Sequence, residues 1–348
     1  MKHIFVINNP ITDLIAKELI GSDSLKYKKD NVVILTYRNY KTNLDFKTIS
    51  LPILKKKLLF FLTWIEVLKL NRLLKKLNDS FSVYLPTSGF EIFQIIISHS
   101  NCKAYNYLEE GLASYYSVEE KNKIHRNFIQ RHSNFFLKNI REFYHFLNFL
   151  GIVPSYNDFF DVSDSKYKDS YCFSTHCFNG HHNKKFLNIS FAKNSSLKEI
   201  KTVLVLESHV ESGLLKKSTY LDSLEWLTHR LKEKGKDQIY FKLHPDQNRP
   251  KSSKKPILKL FNKLEMKLDV KFHKLNPSIK LEEIAYNSHE SEFYVLVSSV
   301  AIYANICGRK TYSFYQKALS LSEDQTFKNY METIPEEYFN ITKTIDEN

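Results

Sequence analysis

Short runs of β-branched and aromatic residues alternate with helical stretches along this chain, and this alternation limits the fold more than any other feature of the sequence. In the first half, strands are predicted at residues 3–7, 32–37, 82–85 and 103–108. Because helix-length segments separate these runs, the strands are expected to pair in parallel. The first half therefore predicts an α/β domain with a largely parallel sheet.

The second half repeats the pattern. Strand-like runs occur at residues 202–206, 238–243 and 293–297. A helix with leucines along one face lies between the first two runs, and Gly235 marks its end. The sequence thus predicts a second Rossmann-like unit.

The expected division of the chain follows the change in pattern between the halves. A first Rossmann-like domain is expected over residues 1–155 and a second over residues 199–320. Residues 156–198 lose the apolar periodicity and predict an irregular connection between the domains. The tail over 321–348 could pack back on the first domain.

Residues 54–77 and 135–152 come nearest to a membrane span, but both carry charges, so neither reaches the ~18 uninterrupted apolar residues that a span needs. Residues 54–77 predict a helix. The favoured interpretation is a helix that packs one face on the core and exposes a lysine-rich face to solvent; the alternative is a basic amphipathic helix on a membrane surface. Residues 118–150 predict a long aromatic helical region. The first residues predict a strand rather than a signal peptide, so a cytoplasmic location is expected.

The charge and the composition limit the kinds of ligand and partner that the protein can bind. Lys and Arg number 51 against 38 Asp and Glu, a net charge of +13, which should attract nucleotides, phosphates, nucleic acid or an anionic bilayer. The 8 glycines are too scattered to form either glycine-rich phosphate loop. Four cysteines are too few for a disulfide framework and suit a reducing cytosol.

Two adjacent carboxylates, Glu109 and Glu110, come directly after the predicted strand 103–108 and precede Gly111. Ligands of parallel α/β sheets bind outside the carboxyl ends of the strands, so one of these side chains is expected in the site. Crowded carboxylates repel each other, which makes one of them a better base near neutral pH. Either glutamate could be that base.

Polar residues also follow the strands of the second half. His244 ends a predicted strand, and Pro245 fixes the backbone beyond it, so the imidazole could serve as an acid or a phosphate ligand. Ser298 and Ser299 lie where a strand gives way to a helix and predict an N-cap that binds an anion. Glu207, at another strand end, is a reserve candidate for the base or for a donor contact.

Three short motifs in this order resemble those of bacterial sialyltransferases and polysialyltransferases. They are Glu109-Glu110-Gly111, His244-Pro245 and Ser298-Ser299. The resemblance implies the GT-B fold class, in which two Rossmann-like domains face a central cleft. It also implies an enzyme that uses CMP-sialic acid and needs neither a cofactor nor a metal ion.

What the resemblance implies about mechanism is an inverting glycosyl transfer. Glu109 or Glu110 would remove the proton of an acceptor hydroxyl, and His244 would assist the departure of CMP. His244, Pro245, Ser298, Ser299 and Glu207 are the expected donor contacts. The acceptor would be a bacterial surface glycan, such as a lipooligosaccharide, O-antigen or capsule chain, carried on a lipid at the inner face of the cytoplasmic membrane.

Three alternative functions and one metal-site hypothesis stay open. A transferase on the same layout could use another nucleotide sugar, or the protein could bind a sugar nucleotide without turning it over. A nucleic-acid-binding protein would fit the charge, although no RNP, KH or zinc-finger signature occurs and no specific nucleic acid is expected. The cysteines and histidines between Cys172 and His182 suggest zinc ligands by type, but their spacing is unlike common zinc patterns.

Overall fold

A computed structural model of the protein describes residues 1–21, 29–37, 40–51, 60–77, 80–132, 158–249 and 252–345. The chain divides into two compact units, Met1–Asn188 and Ile189–Asn348. Each unit is built on one parallel β-sheet whose strands alternate with helices along the chain.

The first unit contains a seven-stranded sheet within the described residues. In chain order its strands are β1 (Lys2–Ile7), β2 (Val32–Thr36), β3 (Lys47–Ser50), β4 (Phe81–Leu85), β5 (Cys102–Leu108), β6 (Tyr167–Cys172) and β7 (Lys184–Phe186). Their order across the sheet is β3-β2-β1-β4-β5-β6-β7, and neighbouring strands are parallel. Every residue of β2 and β4 is buried, as expected for strands of a parallel sheet covered on both faces.

The helices of the first unit connect these strands. Within the described ranges they are α1 (Pro10–Gly21), α2 (Phe60–Lys76), α3 (Glu91–Ser98) and α4 (Val118–His132). The helix predicted over 54–77 is present as α2 from its seventh residue onward, and residues 54–59 lie outside the described part of the chain. Helix α4 covers the start of the helical region predicted over 118–150, of which residues 133–150 are likewise outside it.

The second unit has the same construction. Its strands are β8 (Thr202–Val205), β9 (Gln238–Lys242), β10 (Lys271–Lys274), β11 (Glu292–Val295), β12 (Lys310–Ser313) and β13 (Lys343–Thr344), in the order β10-β9-β8-β11-β12-β13. Its helices are α5 (Lys217–Glu233), α6 (Lys254–Leu268), α7 (Leu281–Asn287), α8 (Ser299–Ile306), α9 (Tyr315–Leu321), α10 (Gln325–Glu332) and α11 (Glu336–Ile341). Neighbouring strands are again parallel.

In both sheets the strand order reverses beside the first strand of the unit. β1 lies between β2 and β4, and β8 lies between β9 and β11. Connections that leave two neighbouring strands in opposite directions open a crevice at the carboxyl ends of those strands. The residues that follow β1, β4 and β5 in one unit, and β8, β9 and β11 in the other, are therefore placed to carry chemistry.

The prediction of two Rossmann-like α/β domains, the composition of the GT-B class, is confirmed. Two expectations about the flanking segments are corrected. β6 and β7 lie within residues 156–198, where an irregular connection was expected, and they extend the first sheet. The sequence does not predict β6 as a strand because it has no continuous apolar run. Its buried residues are Tyr167, Ser170 and Cys172, and charged or polar residues lie between them. The tail over 321–348 supplies α10, α11 and β13, and β13 pairs with β12, so it belongs to the second unit.

Judged by length and hydropathy, no helix in the described ranges qualifies as a membrane-spanning segment.

Candidate functional site

Glu109 and Glu110 follow β5 directly but occupy different environments. Glu109 is fully buried, with Oε1 accepting a hydrogen bond from the Tyr115 hydroxyl at 2.8 Å and Oε2 accepting one from the Phe173 main-chain N–H at 2.8 Å. The negative charge of Glu109 and burial both raise the pKa of Tyr115, and burial is the larger cause. The Glu109 carboxylate therefore ties the turn after β5 to the segment after β6.

Glu110 is only half-buried, and amide groups from the segment after β1 hold it. Its Oε2 accepts a hydrogen bond from Asn8 Nδ2 at 2.8 Å, and its main-chain oxygen accepts one from Asn9 Nδ2 at 2.9 Å. The Glu110 N–H donates to Ser114 Oγ at 3.1 Å. Gly111 follows with φ of 119°, a left-handed value that suits glycine and turns the chain away from the sheet. Glu110 is thus an oriented carboxylate that a substrate can reach.

The orientation of the Asn8 amide is itself determined by local contacts. The Asn8 main-chain N–H donates to Thr12 Oγ1 at 3.1 Å, and Asn8 Oδ1 accepts from the same hydroxyl at 3.2 Å. With its oxygen turned toward Thr12, the amide presents Nδ2 to Glu110. Asn9 Oδ1 meanwhile accepts from the Ile11 and Thr12 N–H groups, both at 2.9 Å, and caps α1. The Asn8-Asn9 pair after β1 was missed in the sequence, although it stands at a strand end.

A lysine lies beside the turn that follows this carboxylate. Lys121 Nζ, on α4, is 4.8 Å from the centre of the Tyr116 ring and 4.7 Å from that of Phe159. Burial lowers the pKa of Lys121, and the nearby charge of Glu110 acts in the opposite direction. Phe159 is fixed in turn, because its main-chain oxygen accepts the Ser88 N–H at 2.9 Å just after β4. Nothing in the sequence singled out Lys121, since its ring contacts come from separate segments.

His244 lies just after β9 with a defined tautomer. Its Nδ1 accepts a hydrogen bond from the Asp246 main-chain N–H at 3.2 Å, so the proton of the neutral ring is on Nε2. The side chain is 40% exposed, which leaves the Nε2–H group available to a ligand. Burial lowers the pKa of His244, while the charges of Asp246 and Glu211 act against that shift. Pro245 begins the short turn that presents the ring.

Glu207, which follows β8, is bound within its unit. Both of its carboxylate oxygens lie close to the Leu296 main-chain N–H, at 3.1 and 3.0 Å, across the point where the strand order reverses. Burial raises the pKa of Glu207 to about 8. Its main-chain oxygen accepts from Gln247 Nε2 at 3.1 Å, and Gln247 Oε1 accepts the His244 N–H at 2.9 Å. Glu207 therefore links β8, β11 and the His244 turn.

His209 was not singled out in the sequence but packs close to Glu207. Its Nδ1 lies 3.8 Å from Glu207 Oε2, beyond hydrogen-bonding distance. Its ring meets the rings of Phe327 and Tyr330 edge-on. Burial lowers the pKa of His209 to about 4, so the ring is neutral at neutral pH.

Ser298 and Ser299 begin α8, as predicted. Ser298 Oγ accepts the Val300 N–H at 3.3 Å and caps the helix. The Ser298 N–H donates to the Tyr338 hydroxyl at 2.9 Å, which fixes the serine from α11. Both serines are half-buried, so hydroxyl groups at this helix start are accessible to an anion.

The segment that suggested zinc ligands is packed into the first unit. Cys172 and Cys177 are buried free thiols, and the His181 ring lies against Phe160 and Phe178. His181 Nδ1 is 2.6 Å from Ser170 Oγ. Among the residues that the structure describes, no three His, Cys, Asp or Glu side chains are grouped as metal ligands.

The predicted residues thus fall into two groups at the carboxyl edges of the two sheets. Glu109 and Glu110 lie in the first unit, where Asn8 and Lys121 join them. In the second unit, hydrogen bonds connect a larger group. Its members are Glu207, His244 and Gln247; Pro245 follows His244 in the same turn, and Ser298 lies two residues beyond the Leu296 that binds Glu207.

Several solved structures are similar to this chain over most of its length. The Methanocaldococcus jannaschii UDP-GlcNAc 2-epimerase, in complex with UDP-GlcNAc and UDP, is 12% identical, with 97% of this chain and 94% of that chain covered and a TM-score of 0.47. A UDP-glucosyltransferase from Polygonum tinctorium is 10% identical, with 100% and 85% covered and a TM-score of 0.48. WaaG, a glycosyltransferase involved in lipopolysaccharide biosynthesis, is 11% identical, with 95% and 90% covered and a TM-score of 0.44.

A search of curated proteins gave no match to this sequence. A family model described as alpha-2,8-polysialyltransferase (POLYST) matches residues 4–315, which include all the candidate residues of both units. Because that model covers nearly the whole chain, the protein belongs to the alpha-2,8-polysialyltransferase family and is a glycosyltransferase.

Proposed function

We propose that the protein transfers sialic acid from CMP-sialic acid to a hydroxyl group of a bacterial surface glycan, with inversion of configuration and without a metal ion. The observation that carries this proposal is the Glu110 carboxylate, reachable and held by Asn8 at 2.8 Å, in a chain of this family. The family description favours an acceptor that ends in sialic acid.

Glu110 is assigned as the general base. Its oxygen takes the proton of the acceptor hydroxyl while the hydroxyl oxygen forms a bond to the anomeric carbon of the donor. The bond between that carbon and the phosphate oxygen breaks, and its electron pair leaves with CMP. Glu109 is assigned a supporting role, because both of its oxygens already accept hydrogen bonds inside the first unit.

The donor is assigned to the second unit. His244 donates its Nε2–H to a phosphate oxygen of CMP and offsets the charge that develops as CMP leaves. The hydroxyl groups of Ser298 and Ser299 at the start of α8 bind the same phosphate. A single phosphate charge can be matched by such neutral donors, which is why no metal ion is required in this proposal. Glu207 and Pro245 hold the His244 turn.

One experiment tests the proposal. The protein is incubated in EDTA with CMP-sialic acid and a panel of galactosides and sialosides, and the products are analysed by mass spectrometry. A product heavier by one or more sialic acid residues is expected. Turnover of a UDP-sugar, offered in parallel, in place of CMP-sialic acid would favour the alternative donor. Donor binding without turnover on every acceptor would contradict the proposal.

Helix α2 supports a lipid-linked acceptor. Leu70 and Leu74 on one face are buried, whereas Ile65 and Leu68 on another are 45% and 51% exposed. Exposed basic residues continue that outer face toward the end of the helix; they are Lys69, Arg72, Lys75 and Lys76. We therefore propose peripheral attachment to the anionic cytoplasmic leaflet. The native protein is expected to sediment with phosphatidylglycerol vesicles, and the double variant Ile65→Ser with Leu68→Ser is expected not to. Equal sedimentation of the two proteins would contradict the proposed attachment.

A further inference from the structure

Lys121 carries a charge that nothing in the described part of the chain neutralises by an ion pair. Its ammonium lies over the rings of Tyr116 and Phe159, at 4.8 and 4.7 Å from their centres. Ring faces attract a cation but offer no oxygen to its three N–H donors. The side chain is half-buried, so these donors are both partly desolvated and within reach of a ligand. An anionic group of a substrate would supply the missing acceptors.

The two rings hold the ammonium at the edge of the sheet where Glu110 lies. Tyr116 belongs to the turn that follows Glu110, and Phe159 is bound through its main-chain oxygen to the Ser88 N–H beyond β4. The same turn contains Ser114, whose hydroxyl accepts the Glu110 N–H at 3.1 Å, so the ring of Tyr116 holds the ammonium against the segment that carries Glu110. An ammonium held in this way loses little freedom when it binds an anion, so it is organised for binding in advance.

We propose that Lys121 is a specificity-determining residue that binds a carboxylate of the acceptor sugar while the reacting hydroxyl is presented to Glu110. This inference rests on the proposed function. The acceptor hydroxyl must approach Glu110, so an anion bound by Lys121 belongs to the same sugar as that hydroxyl. A sugar acid, with its carboxylate a few bonds from its hydroxyl groups, meets this requirement. Carboxylate and ammonium then form a charge-assisted pair beside the base.

The test compares Lys121→Met with Lys121→Arg on two acceptors. Methionine keeps most of the stem that packs on the rings and removes the charge, whereas arginine keeps the charge. One acceptor ends in sialic acid, and the other is the same oligosaccharide with that carboxyl reduced to a primary alcohol. Lys123→Met, at an exposed position of the same helix, is the matched control.

For Lys121→Met, the KM of the sialic acid acceptor is expected to rise about 10- to 100-fold, the effect of losing a hydrogen bond between charged groups. The KM of CMP-sialic acid should stay unchanged, and on the reduced acceptor the variant should match the native protein. Lys121→Arg should recover most of the affinity. Thermal melting of each variant establishes that it is folded.

Other outcomes overturn the inference. Equal losses on both acceptors would give Lys121 a structural role, and a rise in the donor KM alone would assign it to the phosphate of CMP. If the native protein transfers sialic acid and Lys121→Met is unimpaired, this inference fails while the proposed function stands. If the native protein transfers nothing to any acceptor, the proposed function itself fails.

Discussion

Asn8 Nδ2 donates a hydrogen bond to Glu110 Oε2 at 2.8 Å, so a residue after the first strand orients a carboxylate after the fifth. The contact spans the end of β4, which lies between β1 and β5 beside the point where the strand order reverses. It assigns one oxygen of Glu110 to the amide, and the half-buried side chain stays within reach of a substrate. This arrangement distinguishes two glutamates that are neighbours in the sequence.

Replacing the two glutamates by glutamine should therefore have different consequences. Glu110→Gln removes the proposed base and should lower kcat about 10²- to 10⁴-fold with little change in donor KM. Glu109→Gln places an amide nitrogen where a carboxylate oxygen accepts from Tyr115 or Phe173, and should cost about 1–3 kcal/mol of stability. Steady-state kinetics and thermal melting of both variants check this. A larger fall in kcat for a folded Glu109→Gln would transfer the role of base to Glu109.

Changing Asn8 should affect the base without removing it. Asn8→Ala loses the hydrogen bond to Glu110 Oε2 and should lower kcat about tenfold. Asn8→Asp also loses the Nδ2 donor and adds a like charge beside Glu110, so it should lower kcat further. Steady-state kinetics of both variants is the measurement. A native kcat in both variants would contradict a role for Asn8 in orienting Glu110.

Glu207 should make the folded protein less stable as the pH rises. Burial raises its pKa from 4.5 to about 8, so the folded state retains a proton that the unfolded state releases. The stability that this proton provides is complete below pH 4.5 and is lost as the pH rises through about 8. Glu207→Gln cannot ionise, so its melting temperature should fall less between pH 5 and pH 8 than that of the native protein. An exposed control, Glu233→Gln, should keep the native slope.

Removing the His244 ring should impair departure of CMP. His244→Ala loses the Nε2–H donor and should lower kcat about 10²- to 10⁴-fold. The exposed His176 provides the control, and His176→Ala should have native kinetics. Rapid-quench measurement of a single turnover would place the effect on the chemical step. If the two alanine variants behaved alike, His244 would have no part in the reaction.

The serines at the start of α8 should act on donor affinity. Ser298→Ala removes the side chain that caps α8 and should lower the stability by about 1 kcal/mol. It should also raise the KM for CMP-sialic acid. Tyr338→Phe removes the acceptor of the Ser298 N–H but leaves the serine hydroxyl in place, and so serves as the comparison. Titration of each variant with CMP-sialic acid by calorimetry measures its donor affinity. Unchanged donor affinity in Ser298→Ala with Ser299→Ala would remove these serines from the donor site.

The sequence predicted the strand ends well because buried runs such as Val32–Thr36 have no competing interpretation. It could not separate Glu109 from Glu110, because the partners that bury Glu109 include Phe173, 64 positions away. Asn8 could have been predicted by the criterion that identified His244, because both are polar residues that follow a strand. Lys121 was not, because its surroundings arise only when the turn after β5 and the segment at Phe159 come together.

The side chain of Asn9 contacts two different segments through the two ends of its amide group. Its oxygen starts α1, and its nitrogen holds the main-chain oxygen of Glu110. Aspartate at this position would preserve the first contact and forfeit the second. Such a chain would keep the start of α1 and the Asn8 contact to the Glu110 side chain and lose one contact to the Glu110 main chain, so a melting temperature alone would not reveal the change beside the proposed base.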